Sequence, residues 1–130
     1  MPIRTQKHCR MAKEPEDGLR VLCMRYWPRG VRRDQCDIYA PNLAPSAQLL
    51  RAFRVLDDIP PEKITASARE TRWQTLMDWY RAEMRLQKGI IEELRRRHRA
   101  GETLTLLCGC HDPARCHRTV LAALIRGCGK

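Results

Sequence analysis

The apolar positions along the chain predict two buried strands. Residues 19–24 form a short, mostly apolar run bounded by Asp17-Gly18 and by Pro28, which is typical of a strand inside a sheet. Residues 103–107 form a second run of the same kind. Because no Asn-Gly hairpin signal joins the two runs and helical patterns lie between them, we expect the strands to be parallel and to be neighbours or near neighbours.

Helical spacing predicts two helical segments between these strands. Ser46 favours an N-cap for a helix that runs to about Leu56. From about Ala68 the apolar residues recur at i, i+3, i+4, i+7 and i+11, the pattern of an amphipathic helix. The helical pattern continues beyond Gly89 until Gly101, which we expect to follow its last turn. The apolar stripe comprises Trp73, Leu76, Met77, Tyr80 and Met84.

A further helix is predicted after the second strand. Asp112 is expected to cap it, and Pro113 suits its first position because proline lacks the amide hydrogen that would be unpaired there. Gly127 would end it. Its apolar face comprises Val120, Leu121, Leu124 and Ile125.

Strands that alternate with helices favour an α/β fold. We expect a single small domain whose mainly parallel sheet is flanked by helices on both faces, a size that suits 130 residues. Residues 1–15 are predicted to be a flexible basic leader, and residues 16–130 to be the domain. No apolar run approaches the roughly 20 residues of a membrane span, and the N-terminus lacks the apolar core of a secretory signal. The sequence thus predicts a cytoplasmic protein with no membrane partner.

The charge balance changes the functional expectation. Twenty-five Lys and Arg against fifteen Asp and Glu give a net charge of +10, which attracts anionic substrates or polyanions but is equally compatible with plain solubility. The basic run Arg95, Arg96, Arg97 and Arg99 has two interpretations: a solvated helix end where cations offset the macrodipole, or a polyanion-binding patch. Seven cysteines, an odd count, favour reduced thiols over a disulfide framework.

Residues 108–118 contain most of the side chains that could react with or bind a ligand. They lie between the second strand and the last helix, where open α/β sheets bind ligands and where helix amides attract anions. In one interpretation Arg115 or Arg118 binds a phosphate or carboxylate while Cys116 or Cys108 supplies a thiolate. Cys116 is then the candidate nucleophile and His117 its activator. The helix dipole and the arginines favour the thiolate, whereas burial would oppose it.

Two other interpretations of this segment remain open. Cys108, Cys110, His111, Cys116 and His117 are ligand types that suit zinc, but their spacing matches no common structural zinc motif, so no metal or other cofactor is favoured. Alternatively, the cysteines are small core residues and His117 is a hydrogen-bonded core histidine.

The spacing of thiols and arginines bears on catalysis. Neither Cys108 nor Cys110 has an arginine six positions later, the spacing that a cysteine phosphatase requires. Cys110 and Arg115 have four residues between them, as in rhodanese-type sulfurtransferase loops, although Pro113 would remove one amide donor from such a loop.

Four motifs follow one another along the chain: Trp27-Pro28-Arg29-Gly30, Leu43-Ala44-Pro45-Ser46, Asp112-Pro113 and Cys116-His117-Arg118. Over about residues 16–125 the sequence resembles the bacterial domain-of-unknown-function family 488 (DUF488), including its YeaO-like branch. The resemblance implies a single small α/β domain and no agreed biochemical activity. In this family the second position after the strand cysteine is usually acidic, whereas here it is Cys110.

The family pattern also draws attention to the turn after the first strand. Arg25 and Arg29 flank an aromatic-proline turn that could hold both cations toward a shared cleft, and Trp27 could stack on a base or pack as a lid. We therefore expect a basic cleft for a nucleotide, a nucleic acid or a phosphorylated small molecule. A thiol enzyme of the sulfurtransferase type and a zinc-binding protein are the alternatives. The expected cleft residues are Arg25, Trp27, Arg29, Cys108, Arg115, Cys116, His117 and Arg118.

Overall fold

The sheet is parallel throughout in the computed structural model, which describes residues 3–109 and 116–127. Its order is β1-β4-β2-β3. Leu19 pairs with Leu104 and Leu22 with Leu107, so the predicted parallel pairing of the two buried strands is confirmed. The strands are β1 (Ile3–Arg4), β2 (Leu19–Leu22), β3 (Ile38–Tyr39) and β4 (Leu104–Leu107).

The helices follow the predicted periodicities closely. The Ser46 hydroxyl accepts a hydrogen bond from the Leu49 amide and caps α1 as predicted. Thr65 caps α2 in the same way, through the Ala68 amide. A 3-10 turn at Arg85–Gln87 separates α2 from α3. The helices are α1 (Ala47–Asp57), α2 (Ala66–Met84), α3 (Lys88–Arg99) and α4 (His117–Arg126).

The start of α4 differs from the prediction. Cys116 has extended backbone angles, φ −133° and ψ 148°, and is the N-cap residue. A helix cannot continue through such a residue, so the expectation that α4 begins at Pro113 and carries Cys116 in its first turns is wrong. Asp112 and Pro113 themselves lie outside the described residues. Gly127, with a φ of 90°, follows the last helical residue as predicted.

Within the described residues, the α-helices pack on one face of the sheet. Val21, Leu104 and Leu106 point to this face and join one core cluster with residues from all of α1 to α4. On the opposite face Leu22 and Leu107 contact Cys9, Trp27 and other side chains of the N-terminal segment and of the loop after β2. The expectation of helices on both faces is therefore wrong. The segments that cover the second face lack the helical spacing of apolar residues.

Residues 3–9 pack against the sheet as part of the domain, in place of the flexible leader that the sequence predicted. β1 pairs with β4, and Lys7 and Cys9 are buried. The cationic side chains of Arg4 and Lys7 bind the buried carboxylate of Asp17 at 2.9 Å each. The prediction that the domain begins at residue 16 failed because a two-residue strand is too short to produce a periodic signal and because buried cations resemble solvated ones in a sequence.

The basic run at the end of α3 is largely used within the fold. Arg95 donates hydrogen bonds to the carbonyl oxygens of Leu124 and Ile125 near the end of α4. Arg96 and Arg97 both bind the carboxylate of Glu93. These contacts favour the interpretation as a helix end over that as a polyanion-binding patch. Over residues 3–109 and 116–127, none of the helices combines the length and the apolar character needed to span a bilayer.

Candidate functional site

Three cysteines meet where the central strands end. Cys23 directly follows β2, Cys108 directly follows β4, and Cys116 caps α4. The Cys108 Sγ, the Cys116 Sγ and a ring nitrogen of His117 lie within 4.8 Å of one another, and all three side chains are buried. Parallel strands bring their carboxyl ends to one edge, which is why residues so distant in the chain converge here. We call Cys108, Cys116 and His117 the thiol cluster.

The imidazole of His117 is held in one orientation. Its Nε2 lies 2.9 Å from the Cys23 carbonyl oxygen, which can only accept a hydrogen bond, so Nε2 carries a proton. Nδ1 lies 3.6 Å from the Cys116 Sγ. The ring of Tyr80 packs against the imidazole with its centroid 5.4 Å away. In the neutral imidazole, Nδ1 is therefore a proton acceptor that faces a thiol.

Arg118 places a buried cation beside the same thiol. Its Nε donates to the Cys116 Sγ at 3.2 Å, and its Nη1 donates to the Lys7 carbonyl oxygen. A cation at this distance favours the thiolate form of Cys116, whereas the burial of Cys116, whose relative exposure is only 1%, opposes it. The guanidinium of Arg118 thus contacts the Cys116 thiol and the main chain of Lys7.

The N-terminal segment fixes the position of Cys108, a contribution that sequence reasoning missed. The Cys9 amide donates to the Cys108 carbonyl oxygen at 2.9 Å. The His8 Nε2 donates to the carbonyl oxygen of Gly109 at 3.1 Å. These bonds extend the pairing beyond the end of β4 and hold both residues after the strand. The only local signal was Ile3, an apolar residue ahead of a charged stretch.

A cavity of about 370 Å³ opens beside the thiol cluster. Cys108 and His117 line it together with Arg25 and Arg54. The Arg25 guanidinium is held in place because it donates to the carbonyl oxygens of Pro45, at 2.9 Å, and of Ala44, at 3.2 Å. Most of the remaining wall is apolar and includes Met24, Leu50 and Phe53.

The sequence missed Arg54 as a residue of this cavity. Arg54 lies on α1, far from the cysteines in the chain, and reaches the cavity only because α1 packs beside the end of β2. The helical spacing in α1 could show which of its faces is buried, but not what the edge of that face contacts.

The expected cleft residues Arg25, Trp27 and Arg29, in the turn after β2, have different surroundings. The Trp27 indole nitrogen donates to the Val31 carbonyl oxygen at 2.9 Å, and the ring contacts Tyr39 edge to face on the second face of the sheet. Its packing favours the lid interpretation over base stacking. Arg29 is exposed and is absent from the lining of the cavity that contains Arg25. Cys110 and Arg115 lie outside the described residues.

Burial strongly affects the thiol of Cys23. Burial raises the pKa of the Cys23 thiol well above its usual range, the neighbouring Cys108 and Cys116 raise it further, and the Arg118 cation offsets only a part. Cys23 therefore remains a neutral thiol at physiological pH. A neutral, fully buried thiol is poorly suited to act as a nucleophile.

Comparison with known proteins identifies the family. Residues 3–129 match the family DUF488-N3a, described as the active DUF488-N3 subclade. Uncharacterised proteins of Mycobacterium bovis and Mycobacterium tuberculosis are 29% identical to the chain over 116 residues, which is 88% of this chain and 86% of theirs. No solved structure matches the chain. The match covers nearly the whole chain and includes the N-terminal strand, and the chain therefore belongs to the DUF488 family.

Proposed function

We propose that this protein is a thiol enzyme that binds an anionic small molecule in the cavity and attacks it with Cys108. One observation carries the proposal: a thiol and a histidine line the same cavity as two arginines, Arg25 and Arg54. The family description, which names an active subclade, agrees with a catalytic function. The sequence alone favoured Cys116 as the nucleophile, but Cys108 is the thiol of the cluster that lines this cavity.

The lining of the cavity supports a ligand class. Two guanidinium groups favour a phosphate or carboxylate, because an arginine binds either anion with charge-assisted hydrogen bonds. The apolar wall, which includes Met24 and Phe53, suits a flat or hydrophobic body attached to that anion. A volume of about 370 Å³ is at the small end for ligand sites. We infer a phosphorylated small molecule or a mononucleotide, with a nucleic-acid polymer entering only by its end.

The chemistry follows from the positions of the three groups of the thiol cluster. His117 Nδ1 accepts the Cys108 proton, and the thiolate then forms a bond to the electrophilic atom of the ligand. The leaving group departs with the electron pair of the broken bond and takes up the proton from His117. Water hydrolyses the adduct and restores the thiol. Cys116, held by Arg118, orients the imidazole and places the cationic guanidinium close to the reaction.

The anion preference can be tested with two alkylating reagents of nearly equal size. Iodoacetate is anionic and iodoacetamide is neutral, and both form a sulfur–carbon bond with loss of iodide. The ratio of their rates at one cysteine cancels the fraction of thiolate. We expect this ratio, followed by peptide mass spectrometry, to be at least fivefold higher at Cys108 than at Cys36, since one partly screened charge pair contributes about 1 kcal/mol.

The matched variants for this experiment lie on one helix. Arg54→Gln should lower the ratio at Cys108 about fivefold because it removes one charge from the cavity. Arg51→Gln, an exposed site on α1 outside the cavity lining, should leave the ratio unchanged. Equal ratios at Cys108 and Cys36 would refute an anion site. If Cys108 reacts with iodoacetamide more slowly than N-acetylcysteine does, the protein is a binding module without thiol catalysis.

Ligand size is tested by protection of the same thiol. We expect AMP to slow the alkylation of Cys108 more than inorganic phosphate does at equal concentration, because AMP also fills the apolar part of the cavity. The Arg54→Gln variant should need about five times more AMP for the same protection. A single-stranded oligonucleotide that protects far better than AMP would instead indicate a polymeric substrate. Protection by phosphate and AMP to the same extent would refute the mononucleotide class.

A further inference from the structure

The thiol cluster also has the geometry of a metal site. Thiolate and imidazole donors suit Zn²⁺, which binds them at about 2.3 Å and about 2.0 Å in a tetrahedral arrangement. Two such ligands of one tetrahedral ion are then about 3.5 Å apart. The Cys116 Sγ and the His117 Nδ1 are 3.6 Å apart, and the Cys108 Sγ belongs to the same group of donors within 4.8 Å. We propose that Cys108, Cys116 and His117 bind Zn²⁺ reversibly, in a state that blocks the reactive thiol.

The orientation of His117 supports metal binding independently of these distances. A histidine that binds a metal almost always donates its other ring N–H to a carbonyl or carboxylate, which fixes the tautomer and aims the ligating nitrogen at the ion. Here Nε2 donates to the Cys23 carbonyl oxygen at 2.9 Å and leaves Nδ1 beside the Cys116 thiol. The imidazole therefore already has the hydrogen bond and the direction of a zinc ligand.

The two sulfur donors are also held by the main chain. The Cys108 carbonyl oxygen accepts from the Cys9 amide at 2.9 Å, and the Cys116 carbonyl oxygen accepts from the Thr119 amide at 3.2 Å. Arg118 Nε donates to the Cys116 Sγ, as groups outside the ligand set do in zinc sites. Binding needs only small side-chain movements, and the two thiols release their protons as the thiolates bind the ion.

The position of the cavity indicates what metal binding would do. Cys108 and His117 line the cavity, so an ion held by the thiol cluster would lie at the cavity wall. With both thiolates bound to the ion, Cys108 cannot attack a ligand. This consequence rests on the proposed function, whereas metal binding itself does not.

Co²⁺ serves as a spectroscopic probe of the site. With the full chain reduced by a phosphine, we expect one equivalent of Co²⁺ to produce a thiolate charge-transfer band and intense visible bands of a tetrahedral ion, and Zn²⁺ to displace it. Cys108→Ser, Cys116→Ser and His117→Gln should each weaken binding at least tenfold. Cys36→Ser, a thiol on the other face, is the matched control and should have no effect. Circular dichroism of each variant verifies that it is folded.

The outcomes separate this proposal from the proposed function. Weak, octahedral Co²⁺ spectra in the wild-type chain would refute the metal site even if every cluster variant misfolded. Among folded variants, equal effects of Cys36→Ser and Cys108→Ser would also refute it. Saturating Zn²⁺ should slow the alkylation of Cys108 at least tenfold, and EDTA should restore it; an unchanged rate would refute the blocked state. Tetrahedral Co²⁺ binding together with an unreactive Cys108 in EDTA would leave the metal site and refute the thiol enzyme.

Discussion

Replacement of Asp17 with asparagine is expected to lower the free energy of unfolding by about 3 kcal/mol at neutral pH. The Asp17 carboxylate has no exposed surface and binds three cations, Arg4, Lys7 and Arg20. An asparagine side chain at this position would be isosteric but uncharged, so the cations would lose the charge that compensates them in a buried place. Urea denaturation followed by circular dichroism measures the change.

The pH dependence provides a second test of the same carboxylate. Burial alone would raise the pKa of Asp17, but hydrogen bonds from Lys7, the Glu14 amide and Arg20 lower it to about 2. Since the pKa is lower in the folded state, its contribution to stability is complete above the unfolded value and is lost as the pH falls toward 2. The Asp17→Asn variant should lack this part of the acid dependence.

An exposed aspartate supplies the control. Asp34 forms a long pair with Arg32 at 3.6 Å on the surface, and Asp34→Asn should change the free energy of unfolding by less than about 0.5 kcal/mol. Similar small losses for both variants would contradict a stabilising role for the buried ion pairs of Asp17.

These ion pairs also connect to the candidate site. Lys7 binds Asp17 through its ammonium group, and its carbonyl oxygen accepts the hydrogen bond from Arg118.

The sequence predicted the long elements of the fold because their apolar residues form recognisable patterns. The stripe from Trp73 to Met84 on α2 is long enough to show a helical period, and β2 and β4 are recognisable as short apolar runs. β1 and β3 have two residues each and show neither pattern. Arg20 has no exposed surface and lies in a run that otherwise looks apolar, and its partner Asp17 could be found only from the folded chain.

The candidate site was predictable to the extent that it is local in the chain. Cys108, Cys116 and His117 lie between one strand and one helix, and the structure brings them together. Cys23 and Arg54 join them through tertiary packing, which periodicity does not describe. Arg25 lines the cavity, whereas Trp27 packs on the second face of the sheet. This difference depends on backbone angles in the turn after β2, which cannot be predicted from the motif.

The second large effect concerns Gly18, which directly precedes β2. Gly18 has a φ of 62°, and a Cβ atom there would lie 2.2 Å from the Thr103 carbonyl oxygen. The Leu19 amide donates to that same oxygen at 2.9 Å, so the close approach starts the pairing of β2 with β4. We expect Gly18→Ala to lower the free energy of unfolding by about 3 kcal/mol, from the strained backbone and the displaced strand together.

Gly101→Ala separates the two causes. Gly101 has a φ of 95°, but a Cβ atom there would meet no atom within 4 Å, so only the backbone cost of about 1 kcal/mol applies. Equal losses in the two variants, measured by urea denaturation, would contradict a steric role for Thr103. Because β2 and β4 carry Cys23 and Cys108 at their ends, a folded Gly18→Ala chain should also lose the preference of Cys108 for iodoacetate. Gly101→Ala should retain that preference, because a Cβ atom at Gly101 meets no neighbour and displaces neither strand.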